Sequence, residues 1–347
     1  MRNVAWIASL LVLAACSARE ASSSSPLTSV DSGIDTGVPP GTTYSISFPT
    51  ITVQPGEENT QCIVQRLGNL APVHVGTIHD LLSQGSHHMI VYRSNETVEQ
   101  TTPFNCKPFT DTLDPTKGST IVVTQKHDDT LQLPPGVAFT LDADQMVRIE
   151  LHFINPQPAA LQVTATSTFV TMDDATFQNE AGFLFIGDPD IKLPPHATTT
   201  LGPITFTVPP DYAGVNFFAI TGHEHQFGTS VTASVVANAT DTGTSVYDVP
   251  GWLWSEPTTV QSNPPFNIPS GGGFRFSCEW NNTSDNEVKF GESATDEMCF
   301  FWAYYYPSLG SRVCIHSDQL KGGIDICCPG PSLYCALLLQ KVDADGG

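Results

Sequence analysis

Histidine is scarce in this chain, and half of it falls into three short clusters. The sequence contains ten His, and five of them are His87, His88, His152, His223 and His225. Each cluster lies in a strand-like stretch, where alternate side chains share one face. His223 and His225 could therefore reach one ion together. The adjacent His87 and His88 normally point to opposite faces, so they could share a metal only if the strand is bulged.

Two further features bear on a metal site. Gly85-Ser86 directly precedes the histidine pair and favours such a bulge. Any single pair could equally be a polar surface feature or a structural histidine, but several clusters in one acidic chain favour metal binding. The sixth candidate ligand is Met298, which precedes the aromatic run Phe300 to Tyr306. Taken alone, a Met beside aromatic rings is more often core filler than ligand.

The elements that position these residues are short and strand-like. Between Thr43 and Pro307, alternating or β-branched stretches are separated by Pro, Gly, Asn and Asp clusters. This pattern predicts an all-β protein with two tandem antiparallel β-sandwich (jelly-roll-like) domains and a small disulfide-rich C-terminal tail. Two breaks in the pattern, near Thr171 to Asn179 and after Pro307, divide the folded chain, so the expected segments are 44–172, 173–310 and 311–347.

The N-terminal residues indicate export. A positively charged start at Arg2 precedes an apolar run too short to span a bilayer, which ends in Leu13-Ala14-Ala15-Cys16. This ending resembles the bacterial lipobox and implies a signal segment over 1–16 with lipidation of Cys16; an ordinary secretory signal with an incidental Cys is the alternative. A flexible tether over 17–43 follows. We expect an exported bacterial lipoprotein of the cell envelope, at the outer membrane or cell surface, held to the membrane by lipid only.

Charge and cysteine content narrow the class of protein. With 35 Asp and Glu against 14 Lys and Arg, nucleic acid is an improbable partner. Setting Cys16 aside leaves eight cysteines, an even number that can form disulfides in an oxidising compartment, although their connectivity stays open. A zinc site built from the tail cysteines and His316 is the alternative for Cys314, Cys327, Cys328 and Cys335. No Gly-x-Ser-x-Gly elbow supports a hydrolase.

Four motifs occur in an order that resembles a known family. They are His87-His88-Met89, His152 within Ile149 to Pro156, His223-Glu224-His225, and Glu297-Met298-Cys299 leading to Tyr305-Tyr306-Pro307. This series resembles the copper type II, ascorbate-dependent monooxygenases, the family of dopamine β-hydroxylase and peptidylglycine α-hydroxylating monooxygenase. The resemblance extends over residues 45 to 310.

The resemblance implies two separate copper sites, hence two ions per chain. The electron-transfer copper would be held by His87, His88 and His152, and the oxygen-activating copper by the catalytic ligands His223, His225 and Met298. A soft thioether favours the cuprous ion, whereas zinc has little reason to select Met. The resemblance also implies two disulfides that flank the ligands, Cys62 with Cys106 and Cys278 with Cys299.

The implied activity is hydroxylation of a C–H bond of a small organic substrate with O2 and a reductant such as ascorbate. Peptide-acting members carry an Arg before the His-x-His and an Asn and a Tyr after the Met, where this chain has Thr221, Phe300 and Trp302. An apolar or aromatic substrate is therefore expected. The alternatives are a non-catalytic copper-binding or copper-delivery lipoprotein and an adhesion or scaffold protein that retains the ligands. The sequence does not indicate the oligomeric state.

Overall fold

Nearly every regular element of the protein is a β-strand, so the all-β prediction is confirmed. The computed structural model describes residues 38–107, 118–319, 323–329 and 335. The predicted signal segment, Cys16 and most of the tether lie outside these residues. Two short 3-10 helices, Asp174–Thr176 and Pro210–Tyr212, are the helical turns that join strands within the described ranges. No helix in the described part of the chain is long and apolar enough to cross a bilayer.

The first sandwich is formed by the strands up to the middle of the chain. These strands are β1 (Thr43–Val53), β2 (Glu58–Arg66), β3 (Val73–Leu82), β4 (Ser86–Ser94), β5 (Gln100–Asn105), β6 (Gly118–Thr124), β7 (Asp128–Gln132), β8 (Val137–Leu141), β9 (Met146–Ile154), β10 (Leu161–Thr171) and β11 (Asn179–Glu180). One sheet has the order β1-β10-β3-β8-β11, with β7 beside β3, and the other has the order β5-β2-β9-β4-β6. Apolar side chains from both sheets share one core.

The second sandwich is formed by the strands that follow. These strands are β12 (Gly182–Gly187), β13 (Lys192–Leu193), β14 (Ala197–Thr207), β15 (Asn216–His223), β16 (Gly228–Val236), β17 (Thr244–Asp248), β18 (Val260–Asn267), β19 (Gly273–Asn282), β20 (Val288–Lys289), β21 (Phe300–Tyr306), β22 (Arg312–Ser317) and β23 (Ile324–Cys328). A six-stranded sheet, β18-β15-β21-β12-β22-β23, packs on a four-stranded sheet, β14-β19-β16-β17, while β13 and β20 pair separately.

The six-stranded sheet of the second sandwich is buried on both faces. Along β21, Phe300, Trp302 and Tyr304 belong to the core of the first sandwich, while Phe301 and Tyr305 belong to the core of the second. Successive side chains of a strand point to opposite faces, and a strand buried on both faces is apolar throughout. The aromatic run noted in the sequence is therefore a central strand that joins the two cores.

Strand β9 is also buried along nearly its whole length, but its two faces differ in chemistry. Val147, Ile149 and Leu151 lie in the hydrophobic core, whereas Glu150 and His152 are buried polar residues at the alternating positions. The period-2 pattern thus supplies an apolar face for the first core and a polar face that carries a predicted ligand.

All eight remaining cysteines form disulfides. The two pairs implied by the family resemblance are present, Cys62–Cys106 and Cys278–Cys299. The four cysteines of the predicted tail pair as Cys314–Cys327 and Cys328–Cys335. The alternative of a zinc site in the tail is therefore wrong, because disulfide sulfurs are not thiolate ligands. The first of these two tail pairs joins β22 to β23, so the described part of the tail extends the six-stranded sheet.

Candidate metal centre

The first set of predicted ligands lies on two neighbouring strands of the first sandwich. His88 on β4 is paired with His152 on β9, and the register shifts between Ser86 and His88. This irregularity is the bulge that two adjacent histidines need in order to face the same way. One ring nitrogen each of His87, His88 and His152 lies within 4.8 Å of the other two. These three residues are called the first trio.

The second set lies where β15 ends. His223 is the last residue of β15 and is paired with Phe300 of β21, and its ring lies 5.1 Å from that of His225. His225 contacts the segment that carries Met298: its Nδ1 lies 3.2 Å from the carbonyl oxygen of Asp296. Met298 itself is buried. His223, His225 and Met298 are called the second trio.

The two trios adjoin each other, although the resemblance implies separate sites. The ring of His87 lies 5.6 Å from that of His225 and 6.3 Å from that of His223, and the ring of His88 lies 6.4 Å from that of His223. The five histidines are called the histidine cluster, and each is at most 5% exposed. The structure therefore brings the imidazoles of both sandwiches into one buried group.

The ring nitrogens fit a metal. His152 Nδ1, His223 Nε2 and His225 Nε2 are buried without a hydrogen-bond partner among the described residues, as is His87 Nε2. The opposite nitrogens of three of these rings are held: His152 Nε2 by Glu58 at 2.9 Å, His223 Nδ1 by Gln125 at 2.8 Å, and His225 Nδ1 by a backbone carbonyl. A metal-binding histidine commonly has one nitrogen on the ion and the other hydrogen-bonded to an oxygen.

Electrostatics keep the cluster in the metal-binding form. Burial is the main cause that lowers the pKa of His87, His88 and His223 well below the ordinary value, and mutual repulsion among the imidazoles adds to it. Burial likewise lowers the pKa of His225 to about 4. These four rings are neutral at pH 7, and neutral imidazole is the form that ligates metals.

Glu58, which the sequence analysis did not identify, supports the first trio. Its carboxylate accepts hydrogen bonds from His152 and from the backbone N–H of Ala294 at 2.7 Å. Burial raises the pKa of this carboxyl, but the bonds from His152, Ala294 and Ser293 outweigh burial and lower it to about 2. Glu58 precedes His152 by 94 residues, so no local spacing links the two.

Two further residues support the second trio. The side-chain oxygen of Gln125 faces His223 across 98 residues of sequence. Glu297 accepts hydrogen bonds from the backbone N–H groups of His225 and Phe227 and from the indole of Trp280, at 2.9, 2.8 and 2.8 Å. These hydrogen bonds lower the pKa of Glu297, but burial outweighs them and raises it to about 7. Glu297 was noted only as part of a motif, and no sequence signal marks Gln125.

Aromatic side chains border the cluster. The Trp254 ring lies 5.5 Å from that of His87, and the Trp302 ring lies 5.9 Å from that of His223. The other five histidines do not join the cluster and contact ordinary polar partners; they are His74, His79, His127, His196 and His316.

Comparisons with known proteins identify part of the chain. The family model described as copper type II ascorbate-dependent monooxygenase, C-terminal domain, matches residues 179–321, a range that contains the second trio and the Cys278–Cys299 disulfide. A search of the curated proteins found no significant match.

Two solved structures show a remote likeness. PNGase F, a glycosylasparaginase from Flavobacterium meningosepticum, is 13% identical, with 76% of this chain and 96% of that chain covered and a TM-score of 0.35. The major capsid protein P2 from bacteriophage PM2 is 10% identical, with 74% and 97% covered and a TM-score of 0.29. Similarity this low gives no information about function. Through the family match, residues 179–321 are similar to the C-terminal domain of the copper type II ascorbate-dependent monooxygenases.

Proposed function

We propose that this protein is a copper-dependent monooxygenase that hydroxylates a C–H bond of a small organic substrate with O2 and ascorbate or a similar reductant. The observation that carries the proposal is the histidine cluster. In it, one ring nitrogen of His152, His223 and His225 is buried without a partner among the described residues, while the opposite nitrogen is held by an oxygen acceptor. The family match over residues 179–321 supports copper as the metal and ascorbate as the reductant.

In this proposal, each trio would bind one copper ion. His87, His88 and His152 would hold one copper through imidazole nitrogens alone. His223, His225 and Met298 would hold another, and the Met298 thioether would favour its cuprous form. Bound copper supplies the electron transfer and oxygen chemistry that side chains cannot provide. The protein's own residues keep the imidazoles neutral, fix their orientation and exclude bulk water from the cluster.

The residues around the cluster favour a substrate with an apolar or aromatic body. Trp254 and Trp302 lie beside ligand histidines. The position two residues before His223 holds Thr221, whose hydroxyl hydrogen-bonds that of Thr259, so no guanidinium is provided there for a substrate carboxylate. A phenethylamine-like amine suits the side chains of Trp254, Trp302 and Thr221 better than a peptide ending in a free carboxylate does.

Copper loading followed by oxygen uptake tests the function. The purified protein should bind two copper ions and consume O2 with ascorbate when a suitable substrate is added, and a panel of phenethylamines and glycine-ended peptides should favour the amines. Met298→Leu should keep the fold and lose turnover, because only the thioether is removed. Met172→Leu, a thioether change at a residue whose backbone N–H donates to the carbonyl of His74, is the matched control. Full turnover in Met298→Leu would refute the assignment of Met298.

A copper carrier is the second candidate, and the burial of the cluster favours it. With each histidine at most 5% exposed, a substrate has little ligand surface to approach in this conformation. The same measurements separate the candidates: two bound coppers without substrate-dependent O2 consumption across the panel would indicate a carrier.

Export and lipid anchoring complete the proposal. Cys16 would carry the lipid and residues 17–43 would form the tether. Cys16→Ser should move the protein from the membrane fraction to the soluble fraction of the producing bacterium. An unchanged membrane fraction would contradict lipidation at this residue.

A further inference from the structure

We propose that a turn of four residues, Leu253 to Glu256, is the gate through which small molecules reach the histidine cluster, and that the Trp254 side chain controls this passage. The turn lies in the loop between β17 and β18. The identity of what passes through, a copper ion or a small substrate, rests on the proposed function. The position of the gate rests on contacts and burial alone.

The histidine cluster has almost no surface of its own. Each of its five residues is at most 5% exposed, and Met298 is buried as well. Metal exchange or a reaction at these side chains therefore needs a movement that opens a path from solvent. Movements of this kind occur in segments that have little regular structure and few buried contacts.

Trp254 covers the cluster and also has surface that solvent reaches. Its ring lies 5.5 Å from that of His87, and the residue is only partly buried. Trp302, which also lies beside the cluster, is fully buried on the central strand β21. At Trp254, a single partly exposed side chain thus separates the ring of His87 from water, and a change of its rotamer would uncover that ring.

The turn is held loosely against the first sandwich. The carbonyl of Trp254 accepts a hydrogen bond from Gln125 Nε2 at 3.4 Å, which is longer than the usual N–H···O range of about 2.7–3.2 Å. The carboxylate of Glu256 lies 3.8 Å from His127 Nε2, and both of these side chains are about half exposed. An exposed ion pair contributes little stability. Opening of the turn would therefore break only weak polar contacts.

The loop on either side of the turn is anchored in the second sandwich. Before the turn, Trp252 is buried in the second core and its indole donates to Tyr247 Oη at 3.1 Å. After the turn, the carbonyl of Thr258 accepts a hydrogen bond from the same Tyr247 Oη at 3.0 Å. The turn itself is closed by a hydrogen bond from Glu256 N to the carbonyl of Leu253 at 3.3 Å. Its four residues can thus move while both ends stay in place.

Glu58, a second partly exposed side chain at the cluster, is fixed more firmly. Its carboxylate accepts hydrogen bonds from His152, from Ala294 N and from Ser293 Oγ at 2.9, 2.7 and 3.1 Å. Displacing it would break three hydrogen bonds to a charged acceptor, which are stronger than bonds between neutral groups. Of these two covers, the turn with Trp254 is the weaker, so we place the path there.

Chemical modification of the full-length, metal-free protein tests the gate without reference to its function. Diethyl pyrocarbonate acylates neutral imidazoles that solvent reaches, and mass spectrometry of the peptides gives the rate at each histidine. Trp254→Ala should raise the rate at His87 at least about tenfold, because the ring that covers it is gone. His79 and His196, which are exposed, are internal standards whose rates should not change.

Two further variants separate loss of the cover from a general loosening of the fold. Trp254→Phe keeps an aromatic ring over His87 and should restore most of the protection. Leu253→Ala changes the neighbouring exposed residue of the same turn and should react like the wild-type protein. An unchanged rate at His87 in Trp254→Ala would overturn the gate, and so would an equal rise at all five histidines of the cluster.

Copper exchange gives a second measurement. Trp254→Ala removes a cover and no ligand, so Cu(II) should enter and leave faster by about the same factor while Kd stays unchanged. Stopped-flow mixing with Cu(II) gives the rate of entry, and removal by EDTA gives the rate of release. Weaker binding with an unchanged rate of entry would show that Trp254 supports a ligand and does not gate the cluster.

Failure of the gate and failure of the proposed function give different results. Faster reaction of His87 in Trp254→Ala, without substrate-dependent O2 consumption by the wild-type protein, would leave the gate standing and remove the enzyme. O2 consumption by the wild-type protein, with unchanged His87 and copper rates in Trp254→Ala, would keep the enzyme and reject the gate.

Discussion

The ring nitrogens of the histidine cluster have two distinct roles. One nitrogen of His152, His223 and His225 is buried without a hydrogen-bond partner among the described residues, while the other is fixed by a protein oxygen. Fixing the outer nitrogen selects the tautomer and the ring orientation. Substitutions at the oxygen acceptors should therefore alter metal binding without removing any ligand.

Glu297 offers a prediction about stability at the second trio. Glu297→Ala would leave the N–H groups of His225 and Phe227 and the indole of Trp280 buried without their acceptor. An unsatisfied buried donor costs about 1–3 kcal/mol, so we expect a loss of at least about 3 kcal/mol, measured by urea unfolding. Glu287→Ala, at an exposed residue with two lysine partners, is the control and should cost less than about 1 kcal/mol. Equal losses in the two variants would contradict this role.

Asp80 offers a prediction about pH. Burial is the main cause that raises the pKa of Asp80 to about 7, so the folded state favours the neutral carboxyl. The contribution of Asp80 to stability should be fully present below the ordinary carboxyl pKa and should be lost as the pH rises from about 4 to about 7. Asp80→Asn should remove this dependence and stabilise the protein at pH 8 by up to about 4 kcal/mol, at about 1.4 kcal/mol per pKa unit.

The measurement for Asp80 is urea unfolding at pH 4 and pH 8. Asp128→Asn, a change at an exposed carboxylate beside His79, is the control; it retains Asp80 and should show the same change in stability between the two pH values as the unmodified protein. If Asp80→Asn is less stable than the unmodified protein at pH 8, the ionised Asp80 carboxylate does not destabilise the folded state.

Short motifs drew attention to the five histidines, while the two disulfides Cys62–Cys106 and Cys278–Cys299 were implied only by the family resemblance. Glu58 and Gln125 escaped prediction for a physical reason. Each contacts its histidine over more than ninety residues of sequence, so only the packing of strands brings them together. The adjacency of the two trios also lay beyond the sequence, since it depends on how one sandwich docks against the other.

At the scale of elements, side chains that alternate between the two faces of β9 and of β21 explain how the site is positioned. β9 has an apolar face for the core and a polar face that presents His152, and β21 has two apolar faces that serve two cores. The sequence predicted strands in both places. It could not distinguish a strand buried between two sandwiches from one that lines a pocket, because both are rich in aromatic residues.

The turn before the histidine pair gives a prediction at this scale. Gly85 has a φ of +90°, and a Cβ there would lie 3.1 Å from side-chain atoms of both Leu161 and Val163. Gly85→Ala should cost about 1–2 kcal/mol for the left-handed backbone and about 1 kcal/mol more for crowding. It should also weaken copper binding by the first trio, because the bulge that aligns His87 and His88 follows this turn.

Gly56→Ala is the matched control for this turn. Gly56 has a similar φ of +76°, but no atom of the described residues lies within 4 Å of the position that a Cβ would occupy there. The variant should therefore show the backbone cost alone and leave copper affinity unchanged. Urea unfolding and copper titration of both variants measure the difference, and equal copper affinities would show that the bulge tolerates a shift of the turn.

At the scale of the whole molecule, the two sandwiches share a core and the histidine cluster. Copper that binds only the folded state should stabilise both, by about 2.7 kcal/mol per site at a free concentration of about 100 times Kd. We expect one cooperative thermal transition that moves up on copper addition and returns on chelation. The rise should be smaller in His152→Ala and unchanged in His79→Ala, whose ring is on the surface. Separate transitions, of which only one responds to copper, would contradict this coupling.

The ligand set extends from His87 to Met298, and the two trios come from different sandwiches that meet only after both have folded. The imidazoles of the first trio would be complete once the first sandwich has formed, whereas the contacts of Glu58 with Ala294 and of Gln125 with His223 need both sandwiches. If the trios bind copper as proposed, a first ion could enter before the second sandwich has formed, and a cut of the backbone between the sandwiches would leave each trio whole but without its support from the other sandwich.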